Sequence, residues 1–217
     1  MIQIQFGPID FKPSSLAENL RYAWWYAAVA VVIGVVQVQL LGTAAWWTAI
    51  GDGWPPTLSQ LAIGALAGLV LLLIGMTVLR LSGAGDFSWT FKALAAIPPS
   101  HAAIVSLSLS AAILEELLFR AALVPTVGIV ASAALFALAH VGTALLAPNP
   151  KLALWLMVDM MVFGIAMGYL FLQAGWWACV MAHLVHNLLG FYLARRAWKA
   201  IHAQWLAGDG TYVLKWP

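Results

Sequence analysis

Apolar residues run through this chain in long blocks, cut by short polar or Gly/Pro-rich breaks. The blocks are Ala23–Gly42, Leu58–Leu79, Ala102–Val124, Gly128–Leu146, Leu152–Ala174 and Trp176–Leu193. Each is about 18 to 23 residues, long enough as a helix to cross ~30 Å of hydrocarbon at ~1.5 Å per residue. The breaks carry turn residues: Asp52-Gly53-Trp54-Pro55-Pro56, a connector from Arg80 to Ser100 with Gly83, Gly85, Pro98 and Pro99, then Pro125, Pro148-Asn149-Pro150 and Gly175. Ahead of the first block, Met1 to Phe6 alternate apolar residues with Gln, which fits a short strand or an interfacial stretch. Pro13, Ser15 and Glu18 form a helix-start signal of the S-x-x-E type. The pattern predicts an all-α, polytopic transmembrane bundle of about six membrane-spanning helices. An N-terminal interfacial segment covers 1–22, the bundle 23–194 and a C-terminal tail 195–217. The first block is a full span long, so we expect it to remain a membrane helix and not to be a cleaved leader.

Composition points the same way. Apolar residues make up 64% of the chain and charged residues 8%, against roughly 25% charged in a soluble domain. So few charges cannot cover a water-facing surface, and the partner implied is the lipid bilayer. A net charge of +2 and the lack of any Lys/Arg run exclude nucleic acid as a partner. The single cysteine, Cys179, has no internal disulfide partner and reads as a packing residue.

The basic residues orient the bundle. With the N-terminus inside, Lys12, Arg21, Arg80, Lys92, Lys151, Arg195, Arg196, Lys199 and Lys215 all fall on inner segments. The outer loops hold none, and Arg120 lies within the third span. This positive-inside pattern predicts both termini in the cytoplasm. Tryptophans near the span ends, among them Trp24, Trp25, Trp155, Trp176 and Trp177, read as interfacial anchors.

Ionisable side chains within the spans cost roughly 2.5 kcal/mol or more at mid-bilayer, so their positions are informative. The first two spans have none between their ends. The third has Glu115, Glu116 and Arg120, the fourth His140, the fifth Asp159, and the sixth His183, His186 and Asn187. Glu116 precedes Arg120 by four residues, the favourable order for a helical ion pair. Glu115 is turned about 100° away and is left as a candidate general base. His183 and Asn187, four apart, share one face of the sixth helix. Measured from the outer ends of their spans, Glu115, His140 and His183 lie roughly 13, 18 and 10 Å deep, close enough to share one site.

Three motifs in order then carry a family resemblance. Glu115-Glu116-Leu117-Leu118-Phe119-Arg120 resembles the E-E-x-x-x-R motif of the CAAX prenyl endopeptidases and their bacterial relatives. Phe136-Ala137-Leu138-Ala139-His140 resembles their F-x-x-x-H motif, and His183-Leu184-Val185-His186-Asn187 their H-x-x-x-N motif. The likeness covers about Ile113 to Asn187, including the stretch Phe163 to Trp177 that leads into the third motif, with one departure at Ala121, where many relatives have Gly. It implies a glutamic intramembrane protease of the CAAX protease and bacteriocin-processing type. Glu115, aided by His140, would activate a water, and His183 and Asn187 would donate hydrogen bonds to the oxyanion. Glu116, Arg120 and Phe136 would shape the site. The substrate would be a protein or peptide cut near its C-terminus or a membrane-proximal segment.

Other readings compete. Glu115, His140 and His183 are also a two-His, one-carboxylate set for a divalent metal such as zinc, although the resemblance implies no metal or other cofactor. Some relatives are implicated in bacteriocin self-immunity or in scaffolding, so a non-proteolytic membrane protein of the same fold is the alternative. A proton-coupled transporter would need repeated halves, which this chain lacks. Asp159 and His186 match no motif; Asp159 is expected to pair within the bundle or line a water-filled cavity. His101 and His202 read as interfacial. The site is expected nearer the outer face of a bacterial inner membrane, which fits processing or sorting of exported proteins better than cutting a cytoplasmic prenylated tail. The substrate, its prenylation and the oligomeric state are open at this stage.

Overall fold

A computed structural model describes residues 3–5, 28–29, 31–32, 35–36, 55–81, 101–145, 150–206 and 211–213. Most of the first apolar block lies outside these residues. Within them the elements are β1 (Gln3–Gln5), α1 (Leu58–Leu81), α2 (His101–Glu116), a π-helical segment (Leu117–Leu123), α3 (Val124–Ala139), α4 (Val141–Leu145), α5 (Pro150–Ala174), α6 (Trp176–Leu206) and β2 (Thr211–Val213). Four helical stretches are long and apolar enough to cross a membrane: Leu58–Val78, Ile104–Ala139, Pro150–Ala174 and Trp176–Arg196. The chain is therefore an integral membrane protein, with four candidate spans among the described residues against the six that hydropathy predicts.

The stretch Ile104–Ala139 does not cross as one rod. Gly128 has φ 80° and ψ 171°, a conformation open to glycine and closed to residues with a Cβ. Beyond it the chain folds back. Ser132 Oγ donates to the Phe119 carbonyl across 2.5 Å, and the Phe119 and Phe136 rings meet edge to face at 5.1 Å. In a straight helix those two residues would stand about 25 Å apart. Pro125, the expected break, instead sits in the first turn of α3, where a missing N–H is tolerated. The turn falls three residues later, at the glycine.

The remaining ends are set locally. Thr57 and Gln60 form a reciprocal cap at the start of α1: the Gln60 N–H donates to Thr57 Oγ1 (3.2 Å) and the Thr57 N–H to Gln60 Oε1 (2.9 Å). Gln60 Nε2 also donates to the Ala174 carbonyl at 3.1 Å, pinning α1 to the end of α5. Gly175, at φ 82°, makes the tight turn into α6. That helix runs on to Leu206, past the Leu193 end that hydropathy marks. β1 and β2 pair antiparallel, with Gln3 opposite Val213 and Ile4 opposite Tyr212. The alternation at the N-terminus thus forms a strand, a small exception to an otherwise helical fold.

Glycine pairs four residues apart decide how closely the helices approach. A Cβ at Gly64 would run into the Ala178 carbonyl, and one at Gly68 into the Ala182 carbonyl, so α1 and α6 meet backbone to backbone. A Cβ at Gly164 would lie 2.9 Å from Ala133 Cα, and one at Gly168 2.6 Å from Ile129 Cγ2, which seats α5 on α3. Lipid is as apolar as a helix face, so close van der Waals contact of this kind replaces the hydrophobic drive of a soluble core. Leu66, Val130, Leu154, Tyr169 and Leu172 point outward and are well exposed. Gly68→Leu should destabilise the bundle by about 1–3 kcal/mol through overpacking. Gly142→Leu, where nothing lies within 4 Å, should be near neutral. Thermal unfolding in detergent measures both, and equal midpoints for the two variants would refute the interface.

Candidate active site

The third span ends its regular α geometry at Glu116 and continues as the π-helical segment. Such segments are uncommon in helices and concentrate at functional sites. Here the wider turn follows directly on Glu115 and Glu116 and carries Arg120 inward. Arg120 is 1% exposed and Glu116 0%. Arg120 Nε lies 3.0 Å from Glu116 Oε2, the ion pair that the four-residue spacing predicts. The guanidinium carbon also stands 4.7 Å over the Phe136 ring, a cation–π contact that helps hold a charge out of water.

Glu116 does more than neutralise Arg120. Its second oxygen, Oε1, lies 2.6 Å from His183 Nδ1 on α6. An ionised carboxylate only accepts, so the ring donates from Nδ1 and is fixed with Nε2 pointing away. Spacing in the sequence cannot reveal this bond, because its partners are 67 residues apart.

His140 is oriented by a parallel device. It is the C-cap of α3, with φ −95° and ψ 6°. Its Nδ1 lies 2.9 Å from the Phe136 carbonyl, one of the carbonyls left open at a helix end. A carbonyl also only accepts, so Nδ1 again donates and Nε2 is left free. The ring packs on Phe136 with centroids 4.4 Å apart.

Both free nitrogens face Glu115. His140 Nε2 stands 3.7 Å from Glu115 Oε2, and His183 Nε2 stands 3.9 Å from the same atom. Glu115 Oε2 is buried and has no hydrogen bond to any described residue. Three helical elements, α2, α3 and α6, thus bring one carboxylate and two imidazoles to a single point. These separations exceed a hydrogen bond, and a bridging water spans such gaps. Among the described residues no group of three His, Cys, Asp or Glu side chains is arranged to hold a metal ion.

Aromatic rings close the site. Phe136 is its hub: it meets Phe119, His140, Arg120 and His183, and it stacks on Phe163 at 5.6 Å. Phe163 itself contacts His183 at 5.6 Å and His186 at 4.9 Å. No motif singles out Phe163, although its ring supports one of the two histidines at Glu115. Asn187 is half-buried one turn beyond His183 and makes no hydrogen bond to the described residues. No side-chain contact ties Asn187 to Glu115. Asp159 and His186 make no hydrogen bond or ion pair with the cluster among the described residues, and His186 meets Phe163 three residues beyond His183 on α6.

Residues 98–189 match the family model for type II CAAX prenyl endopeptidase, Rce1-like, proteins. The match takes in Glu115, Glu116, Arg120, His140, His183 and Asn187, so it falls on the part of the chain that builds the cluster. The family is a protease family. No curated protein and no solved structure matches the chain.

Proposed function

We propose that this Rce1-like chain is an intramembrane endopeptidase in which Glu115 activates water against a peptide bond of a membrane-proximal segment or C-terminal tail. One observation carries the reading: Glu115 Oε2 faces the Nε2 atoms of two histidines at 3.7 and 3.9 Å, while the other nitrogen of each ring is tied down. A water hydrogen-bonded at about 2.8 Å to Glu115 and to either ring closes that gap without moving a helix. Its oxygen attacks the carbonyl carbon as its proton passes to Glu115, with His140 holding it in line. The carbonyl oxygen takes up the negative charge. Asn187 donates to it from its amide, and His183 donates from Nε2 as an imidazolium that has taken a proton from solvent before the substrate binds and keeps it through the cycle, with its Nδ1–H on Glu116. The C–N bond then breaks as Glu115 returns the proton to the leaving amine. Glu116, Arg120 and Phe136 hold the two histidines and the third span in register.

The wider assignment also belongs to this proposal. The β1–β2 pairing supports termini on one side of the membrane, and the positive-inside pattern favours the cytoplasm of a bacterial cell. Same-side ends call for an even number of crossings. α1, the two arms about Gly128, α5 and α6 make five, and the block Ala23–Gly42 is the natural sixth. A site nearer the outer face suits processing of exported proteins.

The test is cleavage by purified protein, with peptides from captured membrane substrates. The new N-termini are read by mass spectrometry with and without a zinc chelator. Cleavage should persist under chelation. Loss with chelator and recovery with added zinc would replace the metal-free mechanism with a metal-dependent one.

A further inference from the structure

A second polar locus lies outside the Glu115 cluster. Asp159 on α5 is partly exposed, and its carboxylate lies over Gly75 of α1. A Cβ built at Gly75 would stand 3.4 Å from Oδ2 and 3.7 Å from Oδ1. Asp159 has no hydrogen bond or ion pair among the described residues. Depth agrees between the two helices. Gln60 meets Ala174 at one end of the bundle, and Gly75 and Asp159 each lie 15 residues from that contact, about 22 Å along their helices.

His186 faces the same junction. On α6 it sits between Ala182, which packs on Gly68, and Gly190, which lies beside Leu72. These neighbours put it on the stripe of α6 turned toward α1. Its Nδ1 is buried without a hydrogen bond to any described residue. Phe163, one turn from Asp159, covers its ring at 4.9 Å and also meets the His183 ring at 5.6 Å. Three helices therefore converge on two polar side chains with no hydrogen-bond partner among the described residues, at a glycine whose missing Cβ lets the Asp159 carboxylate lie against α1.

A carboxylate at this depth cannot face hydrocarbon, because intramembrane ionisable groups line the bundle interior or water. We propose that Asp159, His186 and Gly75 wall a second, water-filled recess that takes cationic groups. The nearer end of the bundle is the basic one, where α5 begins beside Lys151 and α6 carries Arg195 and Arg196, and the pull of Asp159 on a cation acts against these charges. The recess does not depend on the hydrolytic reading. A carboxylate without a countercharge favours a cation entering from water over an anion of equal size.

Cysteine accessibility in permeabilised vesicles, where the reagent reaches both membrane faces, tests this. In a Cys179→Ala background, Gly75→Cys is the probe, and the space at this position fits a Cβ at ordinary van der Waals distance. Val78→Cys, one turn nearer the basic end, carries the test if Gly75→Cys does not fold. Lipid-facing Leu66→Cys and terminal Ser59→Cys set the slow and fast limits. The probes are a trimethylammonium and a sulfonate methanethiosulfonate. Gly75→Cys should react well above the Leu66→Cys rate and favour the cation by about tenfold, a preference that falls toward unity with Asp159→Asn. Adding Glu115→Ala should leave these rates unchanged, which separates the recess from catalysis. Reaction at both probe positions as slow as at Leu66→Cys would overturn the recess. A cation preference that survives Asp159→Asn would overturn the assignment to Asp159.

Discussion

Glu115→Gln should reduce hydrolysis by about 10²–10⁴-fold, the usual contribution of a positioned general base. The substitution is close to isosteric, and Oε2 makes no hydrogen bond to a described residue that the amide would lose. The fold should therefore be unaffected, and the variant should still bind substrate. Single-turnover release of the new N-terminus, alongside retention of the uncut chain on immobilised protein, separates chemistry from binding. His140→Gln should lower the chemical step in the same direction, since it removes the ring that stands 3.7 Å from the same oxygen. Activity within about threefold of the parent in Glu115→Gln would remove the glutamate from the mechanism.

The second large effect is at Glu116, where stability and activity should part company. Glu116→Ala leaves Arg120 charged at 1% exposure, stripped of its ion-pair partner and lying over the Phe136 face. Breaking a buried pair from one side costs about 3–5 kcal/mol. The double variant Glu116→Leu/Arg120→Met removes both charges and should recover much of that stability. It should not recover hydrolysis, because the bond from His183 Nδ1 is gone and Nε2 is no longer aimed at Glu115. Thermal unfolding and turnover measured on the same preparations decide this. A double variant that regains both would reduce Glu116 to a countercharge for Arg120.

These two residues show which parts of the site the sequence can reveal. Glu116 and Arg120 are one helical turn apart, so their pairing follows from spacing, and the 3.0 Å contact bears it out. The bond from His183 to Glu116 joins two helices, and helix periodicity carries no information about which helices meet. The three motifs point to Glu115, His140 and His183 as a set, and packing brings them to one point. Phe163 begins the stretch to Trp177 that fits the resemblance, but its contacts with the histidines do not show in the sequence, because a phenylalanine in an apolar block resembles any lipid-facing residue until its neighbours are known. Helix ends follow the same division. Gly175 is legible as a turn residue. At Pro125 and Gly128 two breakers compete, and the positive φ chooses the glycine. The tight seats at Gly64, Gly68, Gly164 and Gly168 are invisible to hydropathy, which records how apolar a residue is and not how close another backbone comes.

The fold-back at Gly128 also orders events during synthesis. Glu115, Glu116, Arg120 and His140 all belong to one hairpin, and Glu116 finds its countercharge within a single turn. That hairpin can enter the bilayer as a nearly neutral unit while the ribosome is still working. His183 emerges only after α5, 67 residues behind Glu116, and it brings the last imidazole. The nascent chain therefore holds its carboxylates ready but inert, and the cluster is completed only when the final helix docks.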